Sequence, residues 1–286
     1  MLTIAIVGTG LMGAGIAKVI AGQDHRVTLY DTDADTAAQV AVLLGATAHR
    51  ELADAVGSAD VIIEAVVEQL PVKQQLFATI DALNPEALLA TNTSVLPVTE
   101  IARYVGKPDR VVGTHWWNPP DVMPLVEVIR GEHTTDDAVA RAENLLVAPG
   151  KIPVRVERDV PGFIGNRLQH ALWREAIALV ADRICDAKTV DLVVRNTIGL
   201  RLAAMGPLEN ADYIGLDLTL AIHEAVLSSL NREPSPSPLL RRLVQDRKLG
   251  ARTGEGFVSW PPGARDAAAR RLTAHIAKQL EGARTQ

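Results

Sequence analysis

A glycine-rich turn near the start of the chain limits the possible fold more than any other feature. The apolar run Leu2–Gly8 has the length and composition of a fully buried strand. It leads into the pattern Gly-x-Gly-x-x-Gly at residues 8–13, and residues 14–21 then have a helical pattern. A second strand, Arg26–Tyr30, ends at the acidic residue Asp31. This order predicts a βαβ unit that binds a dinucleotide.

Each part of this unit has a physical role in dinucleotide binding. The first glycine permits the tight turn, the second lets backbone approach a pyrophosphate at the helix N-terminus, and the third lets helix and strand pack closely. Asp31 is placed to accept hydrogen bonds from ribose hydroxyls. Its neighbours Thr32 and Asp33 are not basic, so a 2′-phosphate would meet two carboxylates, which favours NAD over NADP. The predicted cofactor-binding turn consists of Gly8, Thr9, Gly10, Leu11, Met12 and Gly13.

Strands and helices alternate through the first half of the chain. Further strands are predicted at residues 61–67, 88–91, 111–114 and 126–130, with helical patterns at residues 69–83 and 135–146 among them. After Asp159-Val160-Pro161-Gly162 the patterns are almost all helical. We therefore predict an α/β protein, with a Rossmann-type doubly wound NAD-binding domain at residues 1–158. An all-α domain for substrate binding and dimerisation follows at residues 159–286.

Composition excludes several other classes of function. The net charge of −5 and the scattered Lys and Arg residues argue against nucleic acid binding. The sequence has no run of 18 apolar residues, so a membrane span is not expected. The single cysteine, Cys185, excludes an intramolecular disulfide and indicates a cytoplasmic protein. No His, Cys or Asp cluster has the spacing of metal ligands, so no metal is expected.

Seven short motifs follow one another along the chain. They are residues 8–13, Glu64-Ala65-Val66-Val67-Glu68 with Lys73, Asn92-Thr93-Ser94, His115–Asn118 with Glu127, Pro161–Arg167, Gly206-Pro207-Leu208 and Gly254-Glu255-Gly256-Phe257. In this order they resemble the 3-hydroxyacyl-CoA dehydrogenase family from Ile4 to about Trp260. The region around residues 199–207 is most similar to the branch of carnitine and gulonate dehydrogenases and lambda-crystallin.

The resemblance implies a catalytic set made of His115, Glu127, Ser94 and Asn166. His115 would take the hydroxyl proton as hydride leaves for the nicotinamide, and Glu127 would orient His115. An independent physical expectation agrees, because alcohol oxidation needs a base with a pKa near neutrality and a carboxylate behind the histidine fixes its tautomer. Ser94 matches the serine that bonds the substrate oxygen, and Asn166 matches the asparagine that polarises the same region.

The resemblance also implies further cofactor contacts. Glu68 and Lys73 match residues that contact the ribose and cofactor, and Asn118 matches the residue that holds the nicotinamide side. Arg252 stands where the family usually has lysine, so the positive charge is kept and a cofactor-side role is expected.

The sequence departs from the family in places that concern the substrate. Only 28 residues lie between Asp31 and Asp60, where acyl-CoA members carry a longer helical excursion with a serine and a lysine that touch CoA. Trp116 and Trp117 replace smaller aromatic residues beside the histidine, and either they shorten the substrate pocket or they only pack an interface. Arg201 either pairs a substrate carboxylate or is a solvated helix residue.

These departures leave several hypotheses about the function open. The chain is expected to oxidise a 3-hydroxy group on a CoA ester, on a free short hydroxy acid or on an acyl-carrier-protein thioester. A lysine-based hydroxyacid dehydrogenase is disfavoured by the His-x-x-Asn-Pro motif and Glu127. A non-catalytic crystallin-like protein is disfavoured because Ser94 and His115 are also intact. Apolar residues on several sides of the helices at 163–180 and 215–230 predict a homodimer.

Overall fold

The structure is a computed structural model that describes residues 1–283. Its strands are β1 (Thr3–Val7), β2 (Arg26–Tyr30), β3 (Thr47–Ala48), β4 (Val61–Glu64), β5 (Leu88–Thr91), β6 (Val111–Trp116), β7 (Leu125–Arg130) and β8 (Ile152–Val156). The first six α-helices are α1 (Leu11–Ala21), α2 (Ala34–Leu44), α3 (Leu52–Val56), α4 (Leu70–Leu83), α5 (Val98–Ile101) and α6 (Asp136–Val147). The later helices are α7 (Gly165–Ala181), α8 (Ala187–Asn196), α9 (Ile198–Leu202), α10 (Pro207–Ile214), α11 (Leu216–Val226), α12 (Pro238–Gln245) and α13 (Ala264–Ala283). Short 3₁₀ turns lie at Ala102–Tyr104, Pro108–Arg110 and Leu227–Ser229.

The eight strands form one sheet in the order β3-β2-β1-β4-β5-β6-β7-β8. All neighbouring pairs are parallel except β6 and β7, which are antiparallel. The connection between β6 and β7, Trp117–Pro124, is too short for the crossover that a parallel pair requires. The predicted α/β class and Rossmann-type order are therefore confirmed, with one antiparallel pair that the sequence analysis did not specify.

The sheet is covered on both faces, as its sequence pattern requires. Successive residues of β1 belong to different hydrophobic clusters, with Ile4 and Ile6 in one and Ala5 and Val7 in the other. Side chains alternate between the two faces of a strand, so helices must pack on both sides. The strands that bear the predicted site therefore lie in the centre of a packed core.

The chain divides into two compact units. Among the described residues, the first unit contains Met1–Arg167 and residues 276–283, and the second contains Leu168–His275. The predicted boundary after residue 158 lies upstream of this division. The prediction also placed the C-terminal residues in the helical domain, whereas those from Ile276 to residue 283 belong to the first unit. The sequence analysis also missed β8, because its run contains Pro153 and lies at the sheet edge, where it is only partly buried.

The second unit is helical, as predicted, with two short helices, α9 and α10, that were not expected. None of the described residues of helices α8 to α12 is buried. After α12, isolated bridges join Gly250 to Glu255 and Glu255 to Ser259, and Lys248 pairs with Glu255 at 2.7 Å. Within residues 1–283, every helix is too short or too polar to traverse a lipid bilayer.

Candidate active site and cofactor site

The antiparallel pair of β6 and β7 places His115 directly opposite Glu127. His115 Nδ1 lies 2.7 Å from Glu127 Oε2, and both side chains are buried. Burial raises the pKa of Glu127, but hydrogen bonds from His115 and from the backbone N–H groups of Gly165 and Ile164 outweigh that effect. The pKa of Glu127 therefore lies below its ordinary value, and the glutamate is an anion at neutral pH.

A strained turn supplies the two backbone donors. Ile164 N and Gly165 N donate to Glu127 Oε1 over 2.9 and 3.1 Å. Phe163, immediately before them, has φ of 53°, a left-handed conformation that is unfavourable for a bulky aromatic residue. Its buried ring packs on His115, with ring centroids 5.7 Å apart. The Pro161–Arg167 motif thus fixes both partners of the pair, and Glu127 has each oxygen engaged.

Ser94 and Asn166 come together in the first unit. Asn166 Nδ2 donates to the backbone carbonyl of Ser94 over 2.9 Å. On the other side, Glu68 Oε1 accepts from Thr93 Oγ1 at 2.6 Å, from Ser94 N at 2.8 Å and from Val95 N at 3.2 Å. The Ser94 loop is therefore held from both sides by side chains that the sequence analysis had singled out.

Lys73 is buried beside two glutamates. Only 1% of Lys73 is exposed, and its Nζ lies 2.6 Å from Glu64 Oε1 and 3.2 Å from Glu68 Oε2. Thr91 Oγ1 and Val66 N complete the environment of Glu64. The buried ammonium thus pairs with both Glu64 and Glu68, and the cofactor role of Lys73 stays a prediction.

The glycine turn has the geometry of a dinucleotide cradle. Gly8 has φ of 94°, and a Cβ at Gly13 would overlap the carbonyl of Gly8. Helix α1 begins at Leu11, and no side chain of the described residues caps its first turn. Free N–H groups at a helix N-terminus attract a phosphate. Gly10, where a Cβ would meet nothing within 4 Å, leaves room for that approach, so the residues present fit NAD.

Asp31 lies at the end of β2, beside the glycine turn. Its Oδ2 accepts from Thr9 N at 2.6 Å and from Thr9 Oγ1 at 3.1 Å, and its Oδ1 accepts from Asp33 N at 3.0 Å. Burial raises the pKa of Asp31, but these hydrogen bonds outweigh it and the pKa lies below its ordinary value. The carboxylate therefore stays charged and ties the turn to the second strand, where a ribose would lie in a Rossmann-type site.

The two tryptophans beside His115 have different surroundings. Trp116 is 2% exposed and belongs to the hydrophobic core of the first unit, which favours the packing alternative over a substrate contact for this residue. Trp117 is half-buried, and its ring centroid lies 4.9 Å from that of His115. Asn118 follows on the exposed surface of the loop. Trp117 and Asn118 are thus the two residues of this run that remain candidates for contacts with ligands.

The remaining predicted residues lie in the second unit. Arg201 and Arg252 are both exposed there, and their substrate and cofactor roles stay predictions. Among residues 1–283, no three His, Cys, Asp or Glu side chains come together in a way that would hold a metal ion.

Two residues near the site were missed by the sequence analysis. Asn92 Oδ1 accepts from Trp116 N at 3.0 Å, which joins the Ser94 loop to the strand of His115. Asn92 is the first residue of the motif Asn92-Thr93-Ser94, and its place in that motif could have indicated a role at the site. Lys151 has its Nζ buried under the loop that follows His115, and a lone lysine between Gly150 and Ile152 gave no signal in the sequence.

Two family models match this chain. The NAD-binding domain of 3-hydroxyacyl-CoA dehydrogenase matches residues 3–50 and 35–160, and the C-terminal domain of the same family matches residues 162–260. Among curated proteins, 5-formyl-3-hydroxy-2-methylpyridine 4-carboxylate 5-dehydrogenase of Mesorhizobium japonicum is 33% identical over 280 residues, which cover 91% of each chain. The mitochondrial hydroxyacyl-coenzyme A dehydrogenase of Homo sapiens is 35% identical over 290 residues, which cover 90% of each chain.

Solved structures agree with these matches. The crystal structure of a 5-formyl-3-hydroxy-2-methylpyridine 4-carboxylic acid 5-dehydrogenase, described as an NAD⁺-dependent dismutase, has a TM-score of 0.90 at 31% identity and covers 96% of each chain. A 3-hydroxyacyl-CoA dehydrogenase of Archaeoglobus fulgidus has a TM-score of 0.72 at 30% identity, covering 97% of this chain and 98% of the other. The chain therefore belongs to the 3-hydroxyacyl-CoA dehydrogenase family, and it is an NAD-dependent oxidoreductase that acts on CH–OH groups.

Proposed function

We propose that the chain oxidises a 3-hydroxy group to a 3-oxo group with His115 as general base and Glu127 as the group that orients it. The buried 2.7 Å contact between His115 Nδ1 and Glu127 Oε2 carries this proposal. An anionic Glu127 accepts the Nδ1–H of a neutral imidazole, which leaves the Nε2 lone pair free to take a hydroxyl proton. The carboxylate then stabilises the imidazolium. NAD, when bound, accepts the hydride from the carbon that bears the hydroxyl.

Ser94 and Asn166 are proposed to bind the oxygen that becomes the ketone. Support comes from the hydrogen bond between Asn166 and the Ser94 carbonyl and from the triple anchor that Glu68 provides for the Ser94 loop. A loop held in this way presents a hydroxyl with little freedom, and fixed dipoles stabilise developing charge better than mobile ones.

The His115→Gln variant tests the base. Turnover should fall by about 10²–10⁴-fold, which is typical for loss of a general base, while NADH still binds. His133→Gln, an exposed histidine of the same unit, is the matched control and should behave like the wild type. Near-normal turnover of His115→Gln with NADH bound would contradict the assignment.

For the substrate, we propose a short hydroxy acid or a carrier-bound hydroxyacyl group rather than free CoA esters. Residues 32–59 fold compactly into α2, β3 and α3, without the excursion that touches CoA in the resembled enzymes. The two pieces matched by the NAD-binding family model overlap at residues 35–50, as expected where this chain is shorter than the family. Kinetics with acetoacetyl-CoA, short 3-oxo acids and carrier-protein thioesters distinguish these substrates.

A second candidate is an aldehyde that bears a carboxylate. The relative with a TM-score of 0.90 is named for a formyl-pyridine carboxylate, whereas the Archaeoglobus acyl-CoA enzyme has a TM-score of 0.72. A hydrated aldehyde carries C–H and O–H on one carbon, so His115 would take the same proton and the product would be a carboxylic acid. Two aldehydes and one water would then give one acid and one alcohol at catalytic NAD. Appearance of both products in equal amounts would support this candidate.

We also propose a cytoplasmic homodimer assembled through the second unit. Support for a second copy comes from large apolar side chains that are exposed on helices α8 to α11, including Leu200 at 67%, Leu208 at 81% and Tyr213 at 78%. Large exposed apolar areas are unusual on a monomer and mark association surfaces. The single cysteine, Cys185, remains the reason to expect a reducing compartment.

A further inference from the structure

The loop Trp117–Pro124 connects the two strands that carry His115 and Glu127. Its first residues are Trp117, whose ring packs on His115, and Asn118, the residue matched to the nicotinamide side. Any shift of this loop moves the surroundings of the base and of the nicotinamide together. What anchors the loop therefore bears directly on hydride transfer, for which a misplacement of about 1 Å can cost roughly 10²-fold in rate.

One anchor lies on helix α1, which begins at the glycine turn. A Cβ at Gly15 would overlap the ring of Pro120, so the loop packs directly against the helix backbone at that glycine. Three residues further along the helix, Lys18 Nζ pairs with Asp121 Oδ2 at 2.8 Å, but the lysine is largely exposed. An exposed pair of this kind contributes little, so the close contact at Gly15 is the main link to the helix.

The other anchor is Lys151, immediately before β8. Its Nζ donates to the carbonyls of Pro120 at 2.7 Å and of Met123 at 2.8 Å, and it lies 5.6 Å from the ring centroid of Trp116. Lys151 is 8% exposed. Burial lowers its pKa, and the charge of Asp121 partly opposes this effect. A buried ammonium held mainly by neutral carbonyls is costly to desolvate, and simple packing would be served by an apolar side chain.

We infer that Lys151 is a positioning residue for hydride transfer, whose buried ammonium fixes the Trp117–Pro124 loop against helix α1. The inference rests on the proposed roles of His115 and Asn118. Lys151 touches neither of them. It holds the two carbonyls of the loop tip, and the loop in turn holds Trp117 on the base and Asn118 in place.

The test compares Lys151→Met, which removes the donor, with Lys151→Gln, which keeps donors without charge, and Lys151→Arg. Lys107→Met is the matched control, because Lys107 also donates to a backbone carbonyl, that of Pro85, and in addition to the carboxylate of Glu86, but is exposed. Four quantities are measured: the melting temperature, the emission of bound NADH, kcat and KM. Reduced nicotinamide emits more strongly when shielded from water, so its emission reports loop closure without any substrate.

We expect Lys151→Met to bind NADH with weaker emission and to lose about 10–100-fold in kcat with a smaller change in the KM for NAD. Lys151→Arg should recover part of the NADH emission and part of kcat. Lys151→Gln should lie between the Met and Arg variants in both quantities, and Lys107→Met should match the wild type. If the Met and Gln variants change the melting temperature but leave NADH emission and kcat intact well below it, Lys151 is only structural and the inference is wrong. Because NADH emission needs no substrate, an error in the proposed substrate class leaves this result interpretable.

Discussion

Replacing Glu127 by glutamine tests the proposed chemistry most directly, because the structure dictates how the new amide must lie. The backbone N–H groups of Ile164 and Gly165 point at one oxygen of Glu127, so the amide oxygen must take that position. The amide NH₂ then faces His115 Nδ1, which is forced to accept a hydrogen bond. The ring proton moves to Nε2, and the lone pair that should take the substrate proton is lost.

The magnitude follows from that change of tautomer. The equivalent carboxylate-to-amide change in the serine protease triad lowers kcat by about 10⁴-fold, and general bases typically contribute about 10²–10⁴-fold. For Glu127→Gln we expect kcat to fall by roughly 10³–10⁴-fold, or about 4–5 kcal/mol of transition-state stabilisation. The side chain is isosteric, so the affinity for NADH should change little.

The assay is NADH absorbance under saturating cofactor, with NADH binding followed separately by fluorescence. Glu143→Gln, which removes the charge of a glutamate paired with Arg155 on the same unit's surface, is the matched control and should keep turnover. If Glu127→Gln binds NADH and keeps kcat within about threefold of the wild type, the orientation of His115 by Glu127 is not what makes the base competent. The reasoning from the two backbone donors would then be refuted.

Further outcomes are expected for pH, cofactor, substrate and assembly. The pKa of Glu127 is depressed in the folded chain, so the charged carboxylate stabilises the fold fully above the ordinary pKa of about 4.5, and this stabilisation is lost as pH falls through the folded pKa. The difference in melting temperature between wild type and Glu127→Gln should therefore shrink below about pH 4.5. A difference that grows there would contradict this sign. kcat/KM should be higher with NAD than with NADP because Asp31 faces the ribose position, and equal values would overturn that preference. As a substrate, free acetoacetyl-CoA should bind at least a hundredfold more weakly than a short 3-oxo acid or a carrier-bound group. The reason is that loss of two charge-assisted hydrogen bonds weakens binding by about 3–6 kcal/mol. A low-micromolar KM for acetoacetyl-CoA with fast turnover would contradict that expectation. Sedimentation at micromolar concentration should show a dimer, and an active monomer would argue against the role proposed for the exposed face of the second unit.

The sequence alone determined the parts of this protein that depend on local pattern. The strand that ends at Gly8, the three glycines and the acid Asp31 predicted the βαβ unit because their roles are fixed by short-range backbone geometry. The His-to-Glu spacing was visible as well. The pairing of His115 with Glu127 came from the family resemblance, because the sequence pattern did not specify that β6 and β7 are antiparallel neighbours. Only that register places the two side chains opposite each other.

Tertiary structure decided the roles that depend on residues far apart in the chain. Lys73 matched a cofactor residue in its motif, and only the folded chain shows that it is buried beside Glu64 and Glu68. Trp116 and Trp117 are neighbours in sequence and alternate across a strand end, so one enters the core and the other lies on His115. Lys151 carries no local signal, because its two carbonyl partners lie 31 and 28 residues earlier in the chain. Local propensity has no access to such pairings, which exist only once the sheet has brought the loop and the start of β8 together.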